Sequence, residues 1–433
     1  MSEAVLRVGA KSNIDSTTKH VVLSLTLIPL WWVLGAGVAV FHLAALLIAL
    51  RRPRCLVPAS LFQVWLLGLI ALLSFSLVVF LFKDATEMGR LVGAFNNISI
   101  LGIGYCFFSF FRYGFARDSK QVVMLSKKLG WLSKCSFALG GVAVFCLVVM
   151  HASEVSFPTA LGLITPKMDN LIGLYQRADL VAIDWFSESS VPRLTVLSAN
   201  PTSSAALVAL GWFIVLGAIS AKSNWRALVG FFAISLIVAA TLTRGAMAGI
   251  VLGLVLWLFL IAGPKLRFST IPLVPLVIVG LLATASDGLD RANSAREASS
   301  ETRLASYRMS YEVTMDESPV IGLGIKPRVD SLVIPLGSHS TVLSTLVRGG
   351  LLGLMLGLTT FFLLPVVWAA KIVWRVITRS TAYSGLRPFA IAAAAGLPSY
   401  LVYALLQDID AYAPLSALIF SYLAVLHHFS RAG

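Results

Sequence analysis

Charge is scarce in this chain. Only 12% of its 433 residues are Asp, Glu, Lys or Arg, roughly half the share of an ordinary soluble domain. That scarcity excludes a soluble globular enzyme. With 58% hydrophobic residues and a mean hydropathy of +0.87, it leaves a polytopic helical membrane protein. The long apolar runs lack period-2 alternation, which excludes an outer-membrane barrel. Cysteine is equally sparse. Cys106, Cys135 and Cys146 fall within apolar runs and Cys55 beside a basic cluster, so neither a structural disulfide nor a zinc site is expected. There is no Walker-type loop, no dinucleotide fingerprint and no His-x-x-x-His pair. No metal or cofactor chemistry built into the polypeptide is therefore expected.

What is present is a series of apolar runs punctuated by basic residues. About 20 apolar residues cross a bilayer, and the run from His20 to Leu50 is too long for one crossing. As one span it would set Arg51, Arg52 and Arg54 opposite Lys11 and Lys19. Basic residues prefer one side of the membrane, so the run is read as a hairpin of two short helices. Further spans are predicted at 57–82, 91–111, 130–150, 204–221, 226–242, 246–263, 268–285, 341–368, 388–406 and 414–428. The total is about twelve in a single membrane domain over 1–433, with both termini cytoplasmic. The two large outer segments, 151–203 and 286–340, hold nine basic residues against thirteen acidic ones. The net charge of +14 thus reports orientation rather than a nucleic-acid partner. The polar N-terminus and the absence of a cleavage site give no expectation of a signal peptide.

The interval 286–340 is the anomaly, because a simple connection between helices has no need of so many ionisable groups. Ser294 and Glu297 have the spacing of a capping box, and a helix is predicted to run to Glu317, stopped by Pro319. Leu304, Tyr307, Tyr311 and Met315 are expected on its apolar face, with Arg303 and Tyr307 as surface neighbours at i and i+4. The turn-rich stretch Gly322–Pro327 follows, then His339 just before the next span. In segment 151–203, Leu171, Leu174, Tyr175, Ala178 and Val181 are read as the apolar stripe of an interfacial helix. It ends with Arg193 close to the following span, while Arg244 occupies a very tight outer turn.

Three arginines and a histidine thus converge on one face from separate segments. A guanidinium stays charged and grips phosphate oxygens in bidentate fashion, so these arginines are suited to a lipid pyrophosphate at headgroup level. Histidine accepts a proton near neutral pH. His20, His427 and His428 fall on the cytoplasmic side and His42 within a span, leaving His151 and His339 outside. Plainer readings stand beside these. A loop histidine is ordinarily a polar surface residue, and an arginine at a span end ordinarily snorkels to lipid. Asp408 and Asp410 read by default as a solvated turn, with an arginine or a sugar hydroxyl as the other option. Gly349, Gly350 and Gly353 read as permitting close helix packing, and Trp31, Trp32, Trp131 and Trp212 as interfacial belt or packing.

The order Arg193-Leu-Thr, Asn200-Pro201, Thr243-Arg244-Gly245-Ala246, Arg303…Tyr307, Gly322-Leu-Gly324 and His339…Gly350-Leu-Leu-Gly353 resembles the O-antigen ligase and polymerase superfamily. The motifs cover roughly 190–355; the span count and late outer loop extend the likeness to the whole chain. The resemblance implies an all-α inner-membrane glycosyltransferase of the GT-C type with a large periplasmic helical loop. It implies transfer of O-antigen from undecaprenyl pyrophosphate to lipid A-core at the periplasmic face, without metal, nucleotide sugar or other cofactor. On this resemblance His339 matches the family's loop histidine, Arg244 and Arg303 its arginines, and Arg193 the start of its arginine-leucine-threonine motif. Tyr307, Arg308, Lys326, Arg328 and Asp408 are the candidate supporting residues. The chain departs from the pattern at Ser340, where asparagine is frequent, at Arg348, where an acidic residue often sits, and at Tyr307, where tryptophan is common. A polymerase or a protein oligosaccharyltransferase using the same carrier would share the site. A transporter or flippase would instead place its ionisable groups near the bilayer midplane.

Overall fold

A backbone N–H or C=O left bare in hydrocarbon costs several kcal/mol, so apolar runs of this length must close their hydrogen bonds within helices. The computed structural model describes residues 15–83, 88–166, 173–183, 192–198, 200–262, 297–329, 332, 334–378, 383 and 385–431. Among these, eight helices are long and apolar enough to cross a membrane, and one bent pair adds a possible ninth. The chain is an all-α polytopic membrane protein with one small sheet.

The bent pair is α1 (Ser16–Thr26) and α2 (Ile28–Leu34), which meet at 65°. Pro29, in the first turn of α2, has no N–H to continue the ladder. Gly35, with φ 71°, then ends α2 and begins the turn into α3 (Gly37–Arg51), so the run read as two short helices holds three. α4 (Leu61–Lys83), α5 (Met88–Arg117) and α6 (Lys120–Val148) lie at predicted positions, as do α8 (Pro201–Ser220), the shorter α9 (Asn224–Ala240) and α10 (Arg244–Ile261). The span predicted at 268–285 lies outside the described residues, as does Ser294 of the capping box. Burial distinguishes the centre from the rim. In the last helix, Ala413–Arg431, 94% of the apolar window is inside the protein, against 28% for Leu61–Phe82.

Segment 151–203 corrects the sequence reading. Val155–Pro158 (β1), Arg177–Ile183 (β2) and Pro192–Leu194 (β3) form an antiparallel sheet, in the order β1-β2-β3, with a short helix α7 (Ala160–Ile164) after β1. Ala178 pairs with Phe157, and Ala182 with Arg193. Ala178, Leu180 and Val181 are buried as strand residues, not as one face of an interfacial helix. Cross-strand partners remote in sequence override a local helical spacing.

The helix predicted before Pro319 exists as α11 (Glu297–Glu317), but a different face is buried. Leu304 and Tyr311 are exposed, whereas Ser306, Ser310 and Thr314 are fully buried. Small hydroxyl side chains let this helix approach its neighbours closely. Two of them offset their polarity by donating to the preceding turn, Ser310 Oγ to Ser306 O at 2.5 Å and Thr314 Oγ1 to Ser310 O at 2.6 Å.

The element read as a single span over 341–368 is broken. In α12 (Thr341–Leu358), Gly350 has φ 62° and ψ −157°, outside helical geometry. Twelve residues of straight helix would separate Thr345 from Gly357 by about 18 Å. Instead a Cβ on Gly357 would come within 2.8 Å of Thr345 Oγ1. The arm before Gly350 therefore folds against the arm after it. Gly350 makes the bend, while Gly353 and Gly357 make room for Thr345. The second arm continues through a π-helical turn (Thr359–Leu363) into α13 (Leu364–Thr378). Then follow α14 (Arg387–Ala395), α15 (Leu397–Leu406) and α16 (Ala413–Arg431).

Arg348, just before the bend, is 2% exposed and forms an ion pair with Asp410, 4% exposed, in the turn between α15 and α16. Asp408 is buried too and pairs with Lys326. The reading of Asp408 and Asp410 as a solvated turn is thus replaced by two buried carboxylates, each held by a cation from another segment. Removing one partner of such a pair strands the other, at a cost of about 3–5 kcal/mol, while an apolar replacement of both is far milder. Unfolding of purified protein in detergent is expected to show strong destabilisation in Arg348→Met and in Asp410→Leu, and recovery of most of it in the double variant.

Candidate active site

Of the predicted residues, His339, Arg303, Tyr307, Lys326 and Asp408 gather where α11, the loop to α12 and the α15–α16 turn meet. His339 sits in the left-handed region at φ 62°, an unusual conformation for a residue with a side chain. Its carbonyl accepts from the Tyr307 hydroxyl of α11 at 3.1 Å, and its Nδ1 lies 3.4 Å from Nε2 of Gln407. Ser340 then caps α12, its side chain accepting from Leu343 N–H. Thr341 locks the helix start to the facing turn. Its N–H and Oγ1 both donate to Gln407 O, at 3.1 and 2.7 Å, and the same Oγ1 accepts from Ile409 N–H at 3.1 Å.

Burial pushes the His339 pKa below its ordinary value, and the Arg303 charge adds to this, with Lys326 contributing less. Asp408 and the Gln407 contact act in the opposite direction without reversing it. The ring is therefore neutral at physiological pH, the form that can take up a proton. Burial also raises the Tyr307 pKa, so its hydroxyl remains a donor. Lys326 Nζ reaches Asp408 Oδ2 at 2.6 Å, and Asp408 Oδ1 is buried with no hydrogen-bond partner among the described residues.

Arg193 of β3 and Arg244 of α10 meet the same turn but differ in setting. Arg193 is buried, and donates from Nε to Thr241 O at 2.8 Å and from Nη2 to Thr243 Oγ1 at 3.3 Å. It fastens the turn that starts α10, whose first residue is the exposed Arg244. Gly245 lies against Leu406 and Val402, which sets the start of α10 beside the end of α15 and the turn that follows it. The Arg193 segment is tied to the same turn, since Tyr412 OH donates to Leu197 O at 3.1 Å. Arg308 is exposed and pairs along its own helix with Glu312, and Arg328 is exposed, so neither is drawn into the cluster around His339. Gln407, buried beside His339, is the functional neighbour that sequence reasoning passed over; lying 68 positions away, it gave no local signal.

Among the described residues no three His, Cys, Asp or Glu side chains gather as a metal-ligand set. A cavity of about 220 Å³ lies elsewhere, between Asp15, Arg52, Tyr113, Arg117 and Lys120, and includes none of the candidate residues.

Residues 229–358 match the family model described as O-Antigen ligase. The match covers less than a third of the chain, and over that stretch the sequence is similar to an O-antigen ligase domain. The match takes in Arg244, Arg303, His339 and the bend at Gly350, while Arg193, Gln407 and Asp408 lie outside its bounds. It supports a multi-pass membrane enzyme of the O-antigen ligase/polymerase type. One chain in a solved structure of a peptidoglycan synthase complex is similar at 15% identity, covering 84% of this chain and 96% of that chain, with a TM-score of 0.42. No curated protein matches.

The two arginines of the α10 turn are separable by experiment. Arg193→Ala removes the closer donor to the Thr241 carbonyl and leaves only Thr243 Oγ1 at 3.3 Å, at a cost of about 1–3 kcal/mol, so its melting temperature should fall along with donor binding. Arg244→Ala, at an exposed position, should lose donor binding with its melting temperature unchanged.

Proposed function

We propose that this protein transfers a glycan from undecaprenyl pyrophosphate to a sugar hydroxyl of lipid A-core. The reaction takes place at the periplasmic face of the bacterial inner membrane, on a GT-C type scaffold. The observation that carries the reading is the half-buried His339, held through its carbonyl by Tyr307 and set beside the charges of Arg303 and Lys326, which with desolvation favour its neutral ring. The family match supports the ligase/polymerase class.

Arg244 and Arg303, with Arg193 behind the turn, hold the pyrophosphate and stabilise the negative charge that grows on it as the glycosyl bond breaks. His339 accepts the proton of the acceptor hydroxyl, whose oxygen attacks the anomeric carbon from the opposite face. A single displacement of this kind inverts that centre. Pyrophosphate is a good leaving group, so a strong general acid is not required, and positioning two lipid-borne substrates supplies much of the rate. A polymerase extending O-antigen on the same carrier would use the same donor site with a different acceptor cleft.

Reconstitution of the purified protein with the carrier-linked glycan and lipid A-core tests the reading. Transfer without ATP or added divalent metal is expected, lost by a factor of about 10²–10⁴ in His339→Ala, with donor affinity lost in Arg303→Ala. Carrier-linked chain extension with no lipid A-core product would make it a polymerase; normal turnover in His339→Ala would remove the base. Because the His339 pKa lies below 6.5, the rate should be flat above that pH and fall as pH drops through the lowered value, where the ring gains its proton.

A further inference from the structure

We propose that Gln407 is a positioning residue that selects the tautomer of His339. This rests on the reading of His339 as the base. A neutral imidazole carries one N–H and one lone pair, so the group bonded to one nitrogen fixes the role of the other. Gln407 Nε2 lies 3.4 Å from His339 Nδ1. With the carboxamide donating to Nδ1, the ring proton sits on Nε2 and that nitrogen can only donate. A half-turn of the carboxamide presents Oε1 instead, draws the ring proton to Nδ1 and puts the lone pair on Nε2. Only this second form accepts a hydroxyl proton at Nε2. The two ends of the amide have nearly the same shape, so the exchange needs no new space.

The backbone on both sides of this contact is fixed. The Gln407 carbonyl is clamped by Thr341 N–H and Oγ1, and the His339 carbonyl is held by Tyr307. The charged and titratable groups acting on the ring are Arg303 and Tyr307 from α11, Lys326 from the following loop and Asp408 from the turn. Asp408 is taken up by Lys326 at 2.6 Å, so a neutral carboxamide occupies the place where a carboxylate would otherwise orient the ring. During transfer the hydroxyl proton moves to Nε2 as its oxygen bonds to the anomeric carbon. The bond from that carbon to the pyrophosphate oxygen breaks, its electron pair leaving on the oxygen. Nδ1–H donates to Gln407 Oε1 throughout, and the imidazolium then releases its Nε2 proton to water.

Substitutions at 407 keep the backbone clamp to Thr341, so the fold should survive them. In full-length protein labelled with 15N-histidine in lipid nanodiscs, the His339 signal is assigned by its loss in His339→Gln. Gln407→Glu, which when ionised can only accept, is expected to raise the His339 titration midpoint by about one pH unit or more and to carry the acid limb of transfer with it. Gln407→Leu is expected to give a mixture of tautomers and a kcat lower by about tenfold, with donor KM unchanged. An unmoved midpoint in Gln407→Glu would overturn the proposal. A raised midpoint in protein whose wild type transfers no glycan would support the hold of Gln407 on the ring and overturn the transferase reading instead.

Discussion

The arrangement depends on how a helix broken inside an apolar bundle satisfies its backbone. At Gly350 the ladder of α12 stops, and carbonyls before it and N–H groups after it lose their helical partners. The loop after α11 supplies partners for four of them. Leu323 and Gly324 donate to Val347 O and Arg348 O at 2.7 and 3.2 Å, while Pro319 O and Val320 O accept from Leu351 and Leu352 at 2.8 and 3.2 Å. Each bond is modest in water, but an unmade one in hydrocarbon costs several kcal/mol. The loop is therefore fixed as firmly as a helix, although it has no regular structure. Lys326 follows directly from that stitched segment, and His339 precedes the first arm of the broken helix.

The α15–α16 turn is the second fixed point. Its carboxylates receive cations from different places, Asp408 from the loop and Asp410 from the broken helix. Buried pairs of this kind add little net stability, because desolvation consumes most of the attraction. Their consequence is positional: any displacement of the turn strands a charge. The bend and the turn thus constrain each other through Arg348, whose own carbonyl accepts from the loop. His339 lies between them, with Thr341 joining its helix to the turn two residues further on.

Much of this was legible from one sequence, and the exceptions share a cause. Apolar length gave the helices, because satisfying the backbone in lipid is a local requirement. The pairing of Arg303 with Tyr307 on one helix face, and the tight turn at Arg244, were also local. What failed was whatever a distant partner decides. Residues 177–183 became a strand because β1 and β3 were there to pair with it. The buried face of α11 was hydroxyl-bearing rather than apolar because close approach outweighed hydrophobicity. Gly350, read as a packing glycine, became a bend because a loop could dock into it. Asp408 and Asp410 looked solvated because Lys326 and Arg348 lie 82 and 62 positions away.

On the proposed mechanism, the same distance effect spreads the chemistry across the boundary of the matched domain. A clamp for a pyrophosphate needs positive charge, and a base beside it must stay neutral in that field. An ionised carboxylate hydrogen-bonded to His339 would meet the second need poorly, since it would favour the imidazolium and attract an arginine meant for the donor. A carboxamide orients the ring without charge. The one carboxylate close by, Asp408, already has Lys326 as its counter-ion. On that mechanism the Gln407–Asp408 pair, in a turn outside the matched residues 229–358, lets cationic groups and a neutral base occupy the same small volume.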